Sequence, residues 1–274
     1  METQDIRLQL VVHYDGSGFH GWQFQPDLRT VQSELQAGLS RLADSPRTIV
    51  GSGRTDTGVH ATGQVASVDM PAKWDAAALH RSLNAVLPDD VWVESVRAVR
   101  HDFHPRYDAV ARSYEYHLGL GAAAASPFHR RWCWALCQPL VLNTLQEAAR
   151  PLIGEHSFEA FAKAGQPERG YRCTVASADW SEWELGARFR ITADRYLHHM
   201  VRYLVGTMVD IARGRRPPVD MTRLLMNDPA LETSPPAPPE GLFLARVEYP
   251  HRMRTPDPTT EVSTITEARS TESA

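Results

Sequence analysis

Apolar and polar positions alternate along residues 7–14, RLQLVVHY. Leu8, Leu10, Val12 and Tyr14 fall on one side, Arg7, Gln9 and His13 on the other. A period of two is that of a half-buried strand. Asp15-Gly16-Ser17-Gly18 ends it. Across 31–43, VQSELQAGLSRLA, the residues Val31, Leu35, Leu39 and Leu42 recur at helical spacing and predict an amphipathic helix. Strand-like stretches at 47–51 and 64–70 bracket a Gly-rich loop. A helix around 75–86, on Leu79, Leu83 and Val86, stops ahead of Pro88, since the residue before a proline is driven out of the α region. A strand at 91–98 follows.

The second half repeats the rhythm loosely. Residues 113–118 alternate as a strand, and Leu142, Leu145, Ala149 and Leu152 mark a helix near 141–153. Stretches 174–183 and 187–193 read as two strands joined at Leu185-Gly186. In 197–213, LHHMVRYLVGTMVDIAR, the residues Leu197, Val201, Leu204, Met208 and Ile211 form an apolar stripe at helical spacing. A last strand spans 242–249. Strands alternating with helices in both halves predict an α+β fold, a sheet with packed helices. The expected units are 1–105 and 106–250. Pro235 to Pro239, with Ala237 between, is a stiff connector, and residues 251–274 are rich in Thr, Ser, Pro and Glu, a composition that predicts a disordered tail.

Composition narrows the setting. A chain of 274 residues with 42% hydrophobic content can bury one large core or two smaller ones. The start, METQDIRLQLVV, lacks the basic and apolar regions of a signal peptide. No apolar run approaches the ~20 residues of a membrane helix, so a cytoplasmic protein is expected. Three cysteines, Cys133, Cys137 and Cys173, are too few and odd in number for a disulfide framework and fit a reducing compartment. Cys133 and Cys137 are expected to be buried free thiols beside Trp132 and Trp134. Net charge is −4, and it is −3 without the tail, which is not the balance of a basic nucleic-acid-binding domain. Yet the cations comprise 27 Arg and only Lys73 and Lys163. Arg is the better fork for phosphate. Local concentrations occur at Arg130-Arg131, at Arg169 and Arg172, and at Arg213, Arg215 and Arg216. Any RNA would bind a patch that folding assembles.

The loop GSGRTDTGVHA, 51–61, carries the candidate chemistry. Gly51, Gly53 and Gly58 admit unusual backbone conformations, and they hold Arg54 close to the carboxylate of Asp56. The bland alternative is a turn whose Asp caps an amide. Asp56-Thr57-Gly58 also spells the aspartic-protease triplet, but that chemistry needs a second carboxylate, which here only a symmetric dimer could supply. In the helix at 197–213, Arg202 lies one step off the apolar stripe, so it either snorkels to water or meets an anion. His198 and His199, read as adjacent helical residues, diverge by ~100° and make no chelating pair. Asp56 with His60 is the better-spaced ligand pair, and no complete metal set is visible.

GRTDTGVHA resembles the signature loop of the tRNA pseudouridine synthase A (TruA) family. So do YDGSGFHGWQ at 14–23, VQSELQAGL at 31–39, FHPRYDAVARSYEY at 103–116, HHMVRYLVG at 198–206 and PPEGLFLARVEYP at 238–250. The resemblance implies two related α+β halves around a central antiparallel sheet, and a homodimer that uses no cofactor or metal. It implies isomerisation of uridine in the tRNA anticodon stem-loop, at positions 38, 39 and 40. By resemblance Asp56 is the catalytic aspartate, Tyr114 packs against the target uracil, and Arg54 and Arg202 are active-site arginines. It also puts the Arg202 helix against the Asp56 loop, which predicts an Arg202–Asp56 ion pair. A non-catalytic RNA-binding relative would share the fold without needing Asp56. Three stretches depart from the family pattern: Tyr203 where Asn is common, Asp194-Arg195-Tyr196 where N-A-F is common, and the loosely matching AKAGQPERGYRCTV.

Overall fold

The computed structural model describes residues 5–163 and 170–250. Strand β1 (Asp5–Tyr14) buries Leu8, Leu10, Val12 and Tyr14, as its alternation requires, and pairs antiparallel with β3 (His60–Pro71) and β4 (Val91–Ala98). Only two residues of the 47–51 stretch form a strand, β2 (Val50–Gly51), against β3. The Arg47 side chain instead turns to Asp5 and the Asp69 carbonyl.

The second set comprises β5 (Ala111–Gly119), β6 (Trp134–Ala135), β7 (Gly154–Ser157), β8 (Arg172–Trp183), β9 (Gly186–Ala193) and β10 (Leu242–Glu248). One sheet runs β4-β1-β3-β10-β5-β9-β8-β7, with β2 and β6 attached to β3 and β5. The expectation of an antiparallel sheet needs correction, because the sheet is mixed. β10 meets β3 in parallel, at Phe243↔His60 and Leu244↔Ala61, and β6 is parallel to β5. The chain's last described strand fills the gap between β3 and β5, which run in opposite directions, so any strand there is parallel to one of them; β10 is antiparallel to β5.

Helix α1 (Val31–Ala43) starts at Thr30, whose hydroxyl accepts from Ser33 N while the Ser33 hydroxyl accepts from Thr30 N, a reciprocal capping box. Arg29 just before it forks onto Asp90 and reaches Glu34, tying the helix start to the turn before β4. Helix α2 (Ala76–Asn84) is capped by Asp75 and packs on β4, and α3 (Leu142–Ala149) packs on β8 and on α4 (Met200–Ala212). The short α5 (Val219–Leu225), β6 and β7 had no distinct sequence pattern. No helix among the described residues is long and apolar enough to cross a membrane. The expected disordered tail, 251–274, and Arg169 lie outside the described residues. Cys133 is buried, but Cys137 is exposed, in a left-handed turn with φ 51°. That corrects the expectation of two buried thiols.

Candidate active site

The Asp56 loop joins β2 to β3 across the end of β1, and it is stapled on every side. Tyr14 Oη and Thr55 Oγ1 lie 2.7 Å apart, and Trp22 N donates to Thr55 O. Gln64 Nε2 donates to Gly53 O, and Ser52 Oγ donates to Gln64 Oε1. From the other half, Arg112 donates to Ser52 O at 2.9 Å and to Arg106 O at 2.8 Å. Of the three loop glycines, only Gly58 takes a left-handed φ, +79°. Gly51 is required for a different reason: a Cβ there would sit 2.5 Å from the buried Trp22 ring. The 14–23 segment seats on the loop in the same way. Gly21, at φ +86°, presses its Cα against Thr55 O, where a Cβ would come within 2.5 Å.

Asp56 projects from this frame with its carboxylate 24% exposed. Three cationic or imidazole groups face it. His198 Nε2 is 3.2 Å from Oδ1, His199 Nε2 is 3.4 Å from Oδ2, and Arg202 Nη1 is 3.8 Å from Oδ2. Arg202 does not snorkel: its side chain is 14% exposed, and its Nε donates to Ala237 O at 2.7 Å. Ala237 N in turn donates to Arg202 O, so the proline-flanked connector runs along α4. Gly206, one turn on, permits the approach, since a Cβ there would meet Pro235 O at 2.1 Å. Pro239 then abuts Gly58, and Tyr116 Oη donates to Pro238 O. The connector thereby links the helix carrying Arg202 to the loop carrying Asp56.

The two histidines require a correction. They do not diverge on a helix, because α4 begins at Met200 and both precede it in a turn. His199 is left-handed, φ 64°, and this single residue swings both imidazoles onto the same carboxylate. Their ring centroids are 4.2 Å apart. Burial pushes His199 below the ordinary imidazole range; Asp56 opposes that push, and His198, Arg202 and Lys163 add to it. His60, the other ligand candidate, is elsewhere engaged: its Nδ1 accepts from Gly16 N and lies 3.3 Å from Asp15, and its ring stacks on Phe243.

Arg54 shares the loop with Asp56 but does not pair with it. Its exposed side chain donates to Gln23 Oε1 at 3.0 Å, and Gln23 is held by Gln32 of α1. Tyr114 lies on β5 with 8% exposure, edge-on to Tyr196 at 4.8 Å between centroids. Burial pushes its phenol up to about 12, with Arg112 opposing and the Asp56 charge adding. Tyr196, set apart in sequence only as a departure, is fixed by its hydroxyl donating to Arg112 O and Ile191 O.

A family model described as tRNA pseudouridine synthase matches residues 10–108 and 148–250, most of the chain. This chain belongs to the tRNA pseudouridine synthase family. Among similar proteins, a tRNA pseudouridine synthase A of Methylacidiphilum infernorum is 38% identical over 251 residues, covering 91% of this chain and 98% of its own length. One of Moorella thermoacetica is 40% identical over 244 residues, covering 88% and 99%. Against solved structures, an archaeal box H/ACA sRNP Nop10-Cbf5 complex aligns with 74% of this synthase-family chain, which spans about half (52%) of that one, at 12% identity and TM-score 0.31. The family-model match contains Asp56, Arg54 and α4, so the loop and the helix that meet at the carboxylate both lie inside it.

Proposed function

We propose that this chain isomerises uridine to pseudouridine in the tRNA anticodon stem-loop, with Asp56 as the catalytic carboxylate. The reaction breaks the C1′–N1 glycosidic bond, turns the uracil and joins C1′ to C5; C5 then loses its hydrogen as a proton and N1 takes one up, so the change is mass-neutral. One ionised carboxylate suffices at the sugar, as nucleophile or as proton acceptor, provided it is fixed and partly withdrawn from water. The observation that carries this reading is a single carboxylate held by Arg202 and two imidazoles, with Tyr114 buried alongside. The Arg202 guanidinium sets a fixed positive charge 3.8 Å from Oδ2 and orients the carboxylate. Tyr114, neutral at physiological pH, offers a flat uncharged face for a displaced uracil, as enzymes that take a base out of its stack require. Arg54 meets a tRNA phosphate in this reading rather than Asp56, and its exposure and its bond to Gln23 support that.

The reading includes a cytoplasmic homodimer of two-half subunits, 1–105 and 106–250. The parallel β3–β10 seam between the two strand sets supports that division. Incubating unmodified tRNA with the purified protein, then mapping carbodiimide adducts, tests the activity. New adducts at anticodon stem-loop uridines are expected; their absence with a folded, tRNA-binding protein would overturn it.

A further inference from the structure

We infer that Asp56, His198 and His199 form a binding site for a divalent transition-metal ion, zinc being the fitting biological case, and that such an ion inhibits rather than assists. Their ligand atoms all lie within 4.8 Å of one another, the group of that kind found among the described residues. Each imidazole Nε2 faces a different carboxylate oxygen, at 3.2 and 3.4 Å. A tetrahedral zinc with bonds of 2.0–2.1 Å separates neighbouring ligand atoms by about 3.3 Å. Whichever carboxylate oxygen binds, one imidazole already stands at that distance from it, and the other ligand atom lies within 4.8 Å, so a small side-chain rotation closes the set. Two imidazoles and a carboxylate select zinc, cobalt or nickel over magnesium and calcium, which prefer oxygen shells. Three protein ligands leave a position for water, the pattern of an open site.

The ligands are built onto fixed backbone. Lys163 N donates to His198 O at 3.0 Å, Tyr203 N to His199 O at 3.1 Å, and Val59 N to Asp56 O at 3.1 Å. The left-handed His199 is what lets neighbours in sequence serve one ion. His198 is 56% exposed, which gives an ion a way in. Two positive charges oppose it: the Arg202 guanidinium, 3.8 Å from Asp56 Oδ2, and Lys163, whose charge also acts on His199. A bound ion occupies the Asp56 lone pairs that the isomerisation needs. That inhibition rests on the function proposed above; the binding does not.

The test is Co²⁺ titrated into EDTA-treated, desalted protein, read by the visible absorption of tetrahedral cobalt. One equivalent is expected to bind in the wild type. D56N, H198Q and H199Q should each weaken it at least tenfold while circular dichroism stays native. R202M, which removes one of the repelling charges, should tighten it about tenfold. Replacing Cys133 and Cys137 by Ser should change nothing. No saturable binding, or a cobalt band that survives all three ligand substitutions, would overturn the site. In the activity arm, Zn²⁺ should suppress uridine conversion and EDTA restore it, with at least tenfold weaker inhibition of H198Q relative to its own turnover. Cobalt held by these residues with undiminished conversion would keep the site and sink the role of Asp56. Absence of binding alongside a dead D56N would do the reverse.

Discussion

Replacing Arg202 by Met tests the link between the helix and the loop most directly. Methionine keeps the apolar stem and removes the guanidinium. Two terms are lost. The first is the charge 3.8 Å from Asp56 Oδ2. At an effective dielectric of about 20 that separation corresponds to ~4 kcal/mol. The carboxylate is 24% exposed, so solvent screening reduces this to about 2 kcal/mol. The second is the bond from Arg202 Nε to Ala237 O, whose net worth is about 1 kcal/mol, more if the carbonyl is left dry. Only the first bears on the reacting carboxylate, and about 2 kcal/mol corresponds to a loss of roughly 30-fold in kcat/KM; the second lowers stability and is read in the urea midpoint. Arg202→Lys restores the charge without the fork and should recover about half of the ~2 kcal/mol, leaving a roughly fivefold loss. The assay is single-turnover conversion of tRNA uridine, with tRNA Kd measured separately on the same variants. A Met variant within threefold of the wild-type rate would refute the pairing as a catalytic device. A loss carried wholly by Kd would move Arg202 to the RNA backbone instead.

Asp56→Asn should abolish conversion while leaving thermal unfolding within a few degrees, because the side chain is partly exposed; measurable turnover would end its catalytic role. Gly21→Ala should destabilise by about 2 kcal/mol or more, since φ is +86° and the new Cβ would meet the Thr55 carbonyl, and urea titration would read this as a lower midpoint. Glu115 carries an acid-stability prediction. The His117 ring beside it and the Arg190 guanidinium donating at 2.7 Å hold its carboxyl down to about 2. Its folded value lies below its unfolded value, so the stabilisation is present above about pH 4.5 and is lost as pH falls towards 2. Urea midpoints for Glu115→Gln should therefore change less across that window than those of the wild type. The Arg213, Arg215 and Arg216 cluster is engaged internally, with Gln138, Asp210 and Asp220. Replacing Arg216 by Gln should cost about 1–3 kcal/mol by leaving the buried Asp220 undercompensated, while the salt dependence of tRNA binding stays the same; a shallower salt slope would instead place this residue in the RNA footprint.

The sequence by itself determined the elements whose burial has one period. β1, α1 and β4 match their patterns to within two residues, because one face of each is apolar and a slip would bury charge. It also singled out the Asp56 loop and Arg202, since glycines and a charged residue beside an apolar stripe are visible without coordinates. It did not reveal β6 or β7, which are too short to show a period, or the parallel entry of β10, which depends on two edges left open by strands far apart in the chain. Around the carboxylate it named Arg202 correctly, 3.8 Å from Oδ2, but it assigned one neighbour wrongly and missed two. Arg54 is next to Asp56 along the chain but turns to Gln23, whereas His198 and His199, more than 140 residues away, face it. Only the tertiary structure decided this, because one left-handed backbone angle at His199 and the close run of 235–239 past Gly206 set where those side chains point. Neither depends on the hydrophobic period that made the helix legible.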